Sequence, residues 1–195
     1  HFPAGVLNVV CGDRATGAAV VAHPTTQMVS ITGSVGAGRA VAASAGANLK
    51  RTHLELGGKA PVIGFDDADV AAAAEAIAVA GYFNAGQDCT AATRVMAQAG
   101  VAKDLADALA EQAKGAFTTF GRAADDEDGW IPPVNNPNQL ERILSFLADI
   151  PKHAVLAAGG KRQGDKGFYI EPTVISGLRQ DDRHIQEEIF GPVIT

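Results

Sequence analysis

Apolar and polar residues follow one another along this chain in two recurring patterns. A short apolar run lies at 7–10, and a period-two run rich in β-branched residues predicts a strand at 28–32. An apolar run predicts a buried strand at 61–65, and further strands are predicted at 53–56, 94–98, 154–158 and 169–175. Longer amphipathic or alanine-rich segments predict helices at 39–47, 68–83, 103–117 and 138–150. Strands that alternate with helices indicate an α/β fold with a largely parallel sheet.

Local signals refine the later helices. Asp66 or Asp67 can cap the helix that begins near residue 68. The next two helices place one row of apolar residues inward, and these rows are Leu105, Leu109, Ala113 and Phe117, and Leu140, Ile143, Leu144 and Leu147. Two glycines, three prolines and the acidic run 125–128 predict a long, solvated loop at 121–137.

A glycine pair, Gly57-Gly58, interrupts the pattern between 56 and 59. We therefore predict two parts, a short first part of residues 1–56 and a longer second part of residues 57–195. The first part contains a strand, a glycine-rich turn and a helix in succession, which is one unit of the βαβ type.

Composition narrows the classes of function. The 195 residues are 47% hydrophobic and 19% charged, a balance typical of soluble globular domains. A net charge of −6 disfavours a nucleic-acid or anionic-membrane surface, and the chain has no apolar run of about 18 residues that could span a bilayer. Two cysteines without a Cys-x-x-Cys pair favour a reducing, cytoplasmic setting, and no metal site is predicted.

The turn from Gly33 to Gly38 follows a strand and opens a helix. Glycines let a ligand approach the backbone, the helix start offers free N–H groups, and Ser34 adds a hydroxyl donor. These features suit a phosphate, but the spacing differs from the Gly-x-Gly-x-x-Gly fingerprint. An ordinary strand-to-helix turn is the alternative.

Two residues could take part in a reaction, one as a nucleophile and the other as a base. Cys89 lies in a polar, glycine-containing segment, where a thiol near backbone donors would be activated; most free cysteines are instead buried and inert. Asp88 would oppose ionisation of that thiol, and we expect it to point away.

Glu55 lies in an otherwise apolar strand, so it must pair, face solvent or act as a partly buried base. His53 lies on the same face of this strand as Glu55, but a lone histidine more often has a structural role.

Near the C-terminal end, two acids precede an aromatic residue and a Gly-Pro turn, from Glu187 to Pro192. The segment can be a helix end. Alternatively, it can supply a carboxylate that binds a ribose beside a stacking ring.

Four ordered motifs resemble the aldehyde dehydrogenase superfamily across nearly the whole chain. They are Ile31-Thr32-Gly33-Ser34 with Gly38, Leu54-Glu55-Leu56-Gly57-Gly58-Lys59, Asn84-Ala85-Gly86-Gln87-Asp88-Cys89, and Glu188-Ile189-Phe190-Gly191-Pro192. The resemblance implies a three-layer fold with a parallel sheet, truncated here at both ends. Residues 1–56 would be the C-terminal part of the NAD-binding domain, and residues 57–195 an incomplete catalytic domain.

The same resemblance implies a role for each matched residue. Cys89 would attack the aldehyde, its backbone N–H would help to hold the oxyanion, and Glu55 would activate the water that hydrolyses the thioester. NAD, or NADP, would be bound by a set of backbone and side-chain groups: Gly33, Ser34, Gly38, Leu56, Glu188 and Phe190. The parent protein would be a homo-oligomer, a dimer or a tetramer.

A narrower resemblance is to the bacterial γ-aminobutyraldehyde (1-pyrroline) dehydrogenases. It rests on residues 50–63, 65–69 and 82–91. It implies an aminoaldehyde substrate such as 4-aminobutanal, with Asp88 and Tyr82 as conceivable residues of the pocket. Two alternatives stay open, namely a non-catalytic remnant that works as a binding or assembly module, and an enzyme that passes the thioester to CoA. The motif at 129–134 departs from the family's usual Gly-Pro-Leu turn.

Overall fold

A computed structural model describes residues 1–123 and 129–195. The chain divides into two compact units, His1–Gly57 and Gly58–Thr195. The division falls inside the glycine pair that interrupts the sequence pattern. The acidic run predicted to form a solvated loop, 125–128, lies outside the described residues.

The first unit is built around two parallel strands. Its elements are α1 (Arg14–Ala22), β1 (Met28–Gly33), α2 (Val35–Gly46) and β2 (Arg51–Leu56). The register runs from Met28 opposite Arg51 to Gly33 opposite Leu56, so both strands end at the same edge. Helix α2 crosses between them, as a parallel pair requires.

The start of the first unit adds two features to the predicted elements. The apolar run at 7–10 lies outside any helix or strand, and Val9 is 81% exposed. Helix α1 was not predicted, because Gly17 interrupts it and it has little amphipathic character. Asp13 explains its start, since the Asp13 carboxylate accepts from the backbone N–H groups of Ala15 and Thr16.

The second unit mixes strands and helices in the predicted alternation. Its elements are β3 (Pro61–Gly64), α3 (Val70–Tyr82), a 3-10 turn (Phe83–Gly86), β4 (Arg94–Ala97), α4 (Ala102–Gly115), β5 (Phe117–Thr118), β6 (Gly129–Ile131), α5 (Pro137–Ala148), β7 (Val155–Ala158), β8 (Thr173–Ser176), α6 (Arg183–Gln186) and β9 (Val193–Ile194).

Strand pairing in the second unit is mainly parallel. Strands β3 and β4 pair in parallel, as do β5 with β6 and β8 with β9, while β7 lies antiparallel to β8. Backbone bonds of 2.7 and 2.9 Å join Thr195 to Val95 and Thr93, so β9 runs on beside β4. The predicted α/β fold with a largely parallel sheet is therefore confirmed.

The core of the second unit forms two clusters. Helices α3 and α4 pack with strand residues around Tyr82, while α5 contributes Ile143 and Phe146 to the other cluster. Leu105, Leu109 and Ala113 face inward as predicted, and so do Leu140 and Ile143. Leu144 and Leu147 pack against the second cluster while only partly buried.

Several boundaries in the second unit differ from the predictions. Asp69 caps α3, because its carboxylate accepts from the N–H of Ala72, so neither Asp66 nor Asp67 is the cap. Helix α4 ends before Phe117, which lies half-exposed in β5. Strand β3 was expected to be buried, yet its Ile63 is 61% exposed. Strand β6 lies within the stretch that was predicted as a loop.

Among the described residues, no helix is both long and apolar enough to cross a membrane.

Candidate functional site

The turn between β1 and α2 presents a helix N-terminus at the carboxyl edge of the strand pair. Ser34 is the N-cap of α2, and its Oγ accepts from the N–H of Ala37 at 3.1 Å. The Ser34 hydroxyl proton can therefore still be donated outward. The N–H groups of the first turn have no partner within the helix, so they can face an anion together with the positive end of the helix dipole.

Gly33 and Gly38 are glycines for different reasons. A Cβ on Gly33 would lie no closer than 3.8 Å to any neighbour, so packing within the chain does not require a glycine there. Because Gly33 has no side chain, a ligand can approach its backbone closely. A Cβ on Gly38 would lie 2.5 Å from Cδ2 of Leu56, so this buried glycine lets α2 pack closely on the end of β2.

Glu55 lies at the same edge, opposite Thr32 of β1. Its side chain is 64% exposed, so of the alternatives that the sequence left open, Glu55 faces solvent and is not a partly buried carboxylate. The other residues on the same face of β2, Arg51 and His53, are also exposed, so this face of the strand is open to solvent in the first unit. The imidazole Nε2 of His53 lies 2.9 Å from Oε1 of Glu55, so His53 pairs with this acid rather than packing in a core.

The backbone before Cys89 is strained. Asn84 and Ala85 have positive φ angles of 50° and 56°, and Gly86 follows with 68°. Left-handed backbone is unfavourable for residues that carry a Cβ, so the surrounding contacts must hold it. Asn84 and Gln87 provide two of them, because each side-chain amide donates to the backbone carbonyl of the other at 3.0 Å.

Long-range contacts fix the same loop. A Cβ on Gly86 would lie 2.1 Å from the carbonyl oxygen of Gly191, so the loop backbone packs directly on the Gly191-Pro192 backbone. The N–H of Asn135 donates to Oε1 of Gln87 at 2.8 Å. The loop thus delivers Cys89 to the surface with an exposed thiol.

Asp88 does not point away from the thiol as expected. Its Oδ1 accepts from the backbone N–H and the hydroxyl of Thr90, each at 2.8 Å. These two bonds lower the pKa of Asp88, and the Cys89 thiol acts as a further, smaller donor. Asp88 is therefore an ionised carboxylate held beside the thiol of Cys89.

The segment that carries Glu188 and Phe190 packs close to the Cys89 loop. The N–H of Gly58 donates to Oε1 of Glu188 at 3.2 Å, and a Cβ on Gly58 would lie 3.9 Å from the carbonyl oxygen of Cys89. The second unit therefore brings Cys89, Glu188 and Phe190 to one region. Phe190 has a positive φ of 58°, so its backbone also needs support.

Helix α5 supplies that support through two residues that the sequence analysis did not identify. The amide Nε2 of Gln139 donates to the carbonyls of Ile189 and Phe190, both at 2.9 Å. Arg142 donates to the carbonyl of Glu188 at 2.8 Å. Their signal in the sequence is only a spacing of three residues on one helix, which many surface residues share.

Lys59 is the other residue that sequence reasoning missed. Its Nζ is buried and has no hydrogen-bond partner among the described residues. Burial, followed by the charge of Arg94, lowers the pKa of Lys59 from its usual 10.5 to about 8, while Glu188 opposes that change. A buried cation therefore lies near the carboxylate proposed to bind a ribose.

Tyr82, considered for the substrate pocket, is not available to a ligand. It is fully buried, and its hydroxyl donates to the carbonyl of Thr173 at 3.2 Å. Burial raises the pKa of the Tyr82 hydroxyl. Its place in the core of α3 and α4 makes it a packing residue.

The predicted site residues thus fall into two groups. Gly33, Ser34, Gly38, Glu55 and Leu56 share one edge of the first unit. Cys89, Glu188 and Phe190 share one region of the second unit. No cluster of His, Cys, Asp and Glu suited to a metal occurs in residues 1–123 and 129–195.

Comparison with known proteins decides the family, because the model of the aldehyde dehydrogenase family matches residues 1–195. The chain belongs to this family. Aldehyde dehydrogenase family 2 member C4 of Arabidopsis thaliana is 40% identical over 197 residues, which are 100% of this chain and 39% of that protein. An aldehyde dehydrogenase of Davidiella tassiana is 40% identical over 98% of this chain and 39% of its own length.

Solved structures of aldehyde dehydrogenases share the fold. Betaine aldehyde dehydrogenase of Staphylococcus aureus, in complex with NAD+, has a TM-score of 0.90 and 35% identity over 99% of this chain and 39% of its own. Lactaldehyde dehydrogenase of Escherichia coli has a TM-score of 0.84 and 40% identity over 91% of this chain and 37% of its own. The predicted aldehyde dehydrogenase fold is confirmed, and the chain spans about 39% of the length of its curated relatives.

Proposed function

We propose that the protein containing this chain oxidises an aldehyde to a carboxylic acid with NAD or NADP, through Cys89 as nucleophile and Glu55 as base. The observation that carries the proposal is the exposed Cys89 thiol on a strained loop that Gly86 packs against Gly191. Strain of this kind is costly and persists where a reactive group must be presented in one position. Membership of the aldehyde dehydrogenase family supports the same reaction.

The residues present fit a dinucleotide cofactor. In the first unit, the Gly33 backbone, which carries no side chain, and the exposed start of α2 suit a pyrophosphate, with Ser34 as a donor. Gly38 sets the position of Leu56, which would lie beside the nicotinamide. In the second unit, Glu188 would accept from ribose hydroxyls, with Phe190 packed nearby. Aldehyde dehydrogenases of Staphylococcus aureus and Bacillus cereus are known as NAD+ complexes, which supports NAD as the cofactor.

The chemistry divides between the two side chains. The Cys89 sulfur adds to the carbonyl carbon, and the backbone N–H of Cys89 stabilises the resulting oxyanion. A nicotinamide cofactor held beside Leu56 would supply the hydride acceptor for that carbon, and a thioester would then remain on Cys89. Glu55 takes a proton from water, the water oxygen adds to the thioester carbon, and the acid leaves as the Cys89 sulfur is released.

Asp88 supports an aminoaldehyde as the substrate. Thr90 keeps its carboxylate ionised one residue from the nucleophile, so a cationic tail such as that of 4-aminobutanal can be attracted there. Tyr82, buried in the core, takes no part in this pocket. Of the two residues considered for the pocket, Asp88 and Tyr82, the proposed pocket therefore uses only Asp88 to recognise a charged substrate.

The nucleophile is tested with Cys89→Ser in the full-length protein. Formation of NADH from 4-aminobutanal should fall by about a thousandfold or more, because a hydroxyl is a far weaker nucleophile than a thiolate. Cys11 is the matched control, since it is the other exposed thiol. Cys11→Ser should leave the rate unchanged, and an alkylating reagent should modify Cys89 faster than Cys11. Equal, slow alkylation of both would instead favour a non-catalytic remnant.

The substrate class is tested with Asp88→Asn. The ratio of kcat/KM for 4-aminobutanal to that for butanal should fall about tenfold, which corresponds to about 1.4 kcal/mol of lost charge attraction. The rate with butanal should change little, because that aldehyde carries no cation. An unchanged ratio would show that Asp88 does not read the substrate's charge. Recovery of the free acid, rather than an acyl-CoA, would set the enzyme apart from acylating relatives.

A further inference from the structure

His53 and Glu55 form a pair on one face of β2. Side chains two residues apart on a strand point to the same side, and here Nε2 of His53 lies 2.9 Å from Oε1 of Glu55. Both side chains are more than half exposed, at 56% and 64%. A pair this exposed adds little to stability, so its place in the chain needs another explanation.

The surroundings leave His53 as the partner that can orient the Glu55 carboxylate. Across the parallel register, Ser30 lies opposite His53 and Thr32 lies opposite Glu55, so β1 offers two short hydroxyl side chains and no charge on this face. Arg51 is the other charged residue on the same face of β2, two positions before His53. Helix α2 packs on the opposite side, where Gly38 meets Leu56.

The pairing divides the two carboxylate oxygens between two tasks. With its proton on Nε2, the imidazole of His53 donates to Oε1. Oε2 is then the oxygen that can accept a proton from water. A glutamate has several freely rotating bonds, so a donor on one oxygen also reduces the number of orientations that the other oxygen samples.

We propose that His53 is a positioning residue for Glu55, which holds Oε1 so that Oε2 meets the hydrolytic water. The inference rests on the proposed function, because it takes Glu55 as the base that hydrolyses the thioester. It predicts that His53 affects hydrolysis of the thioester and leaves the earlier transfer of hydride unchanged. A residue needed only for folding would alter both steps together.

Rapid-mixing kinetics of the full-length protein separates these steps. The burst of NADH reports formation of the thioester, and the later steady rate reports its hydrolysis. His53→Ala should leave the burst intact and slow the steady rate about tenfold, the order of magnitude expected for a misplaced catalytic group. His53→Gln should recover most of the rate, because its amide can donate from a similar position. Ser30→Ala is the matched control on the same face and should behave as wild type.

Each outcome bears on a separate claim. A steady rate of His53→Ala equal to that of wild type would overturn the positioning role and leave Glu55 as the base. Equal slowing of burst and steady rate in both His53 variants, with a lowered Tm, would also overturn it, in favour of a structural role. Undiminished hydrolysis in Glu55→Gln would remove the proposed base itself, and the inference would fall with it.

Discussion

Glu55 and Cys89 are held in opposite ways. Glu55 lies on a regular strand, is exposed, and has one side-chain partner two residues away. Cys89 follows three residues of left-handed backbone, and its loop packs on Gly191 and accepts from the distant Asn135. The acid is placed by local geometry, whereas the thiol is placed by contacts between segments about 50 and 100 residues apart along the chain.

The difference fits the task proposed for each group. A nucleophile must meet a carbonyl carbon within a narrow range of distance and angle, so a rigid, strained loop is useful to it. A base that exchanges protons with water needs access to solvent, which an exposed strand end provides. Strain in the thiol loop therefore makes it the more fragile of the two arrangements.

The largest effect should come from Gly86→Ala. The new Cβ would lie 2.1 Å from the backbone oxygen of Gly191, at a φ of 68° that disfavours any side chain. Backbone overlap and left-handed strain together should lower the free energy of unfolding by about 3–5 kcal/mol. Chemical denaturation of the full-length protein measures the loss, and reactivity of the Cys89 thiol should fall with it.

Gly115→Ala is the control for that change. Gly115 ends α4, and a Cβ there would meet nothing within 4 Å. Its free energy of unfolding should change by less than about 1 kcal/mol. Similar losses at both positions would contradict the view that Gly86 is fixed by its contact with Gly191.

The parts that could be predicted from the sequence are those fixed by local periodicity. Strands β1 and β2, and the inward faces of α4 and α5, follow from alternation and helical spacing. The candidate residues around the β1–α2 turn follow from a strand, a glycine run and a helix in succession. That Glu55 and His53 share a face also follows from period two.

Other features depend on contacts that no local pattern contains. Gln139 lies in an ordinary position of a helix and Lys59 in an ordinary position of a loop. Only the folded chain shows that Gln139 bonds the backbone of Phe190 and that the Lys59 amine is buried. Asp88 was expected to point away from the thiol, and the sequence does not show that its bonds to Thr90 hold it beside the thiol instead. The exposure of Glu55 depends on which segments pack against its face of β2, and no local pattern contains that information.

Lys59 sharpens the comparison, because it is a buried charge only four residues after the exposed Glu55. Burial lowers its pKa to about 8, so between pH 8 and 10.5 the folded state holds fewer protons than the unfolded state. Stability from this group therefore rises with pH across that window. At pH 7 the charge is buried at a cost, and Lys59→Met should raise the free energy of unfolding by about 2 kcal/mol.

The advantage of Lys59→Met should shrink as pH rises from 8 toward 10.5, because the native lysine then becomes neutral in the folded state. Denaturation curves at pH 7, 9 and 10.5 measure this trend. Lys152→Met, at an exposed position, is the control and should change stability little at pH 7. A Lys59→Met variant that is less stable than wild type at pH 7, with a loss that becomes smaller toward pH 10.5, would mean that a charged partner stabilises the protonated lysine.

The smallest effect should come from Gly38→Ala, on the side of Glu55. The new Cβ would lie 2.5 Å from Cδ2 of Leu56, but this neighbour is the end of a flexible side chain rather than backbone. Leu56 can turn away, and alanine favours the helix, so the net loss should be only about 1 kcal/mol. The KM for NAD should rise severalfold, since the proposed place of Leu56 is beside the nicotinamide. Gly46→Ala is the control on the same helix, because a Cβ there would meet no atom within 4 Å. It should not lower stability, and it should leave the KM for NAD unchanged. If Gly38→Ala proved as damaging as Gly86→Ala, the two regions would be equally rigid, and the contrast between a strained thiol loop and a tolerant strand end would be wrong.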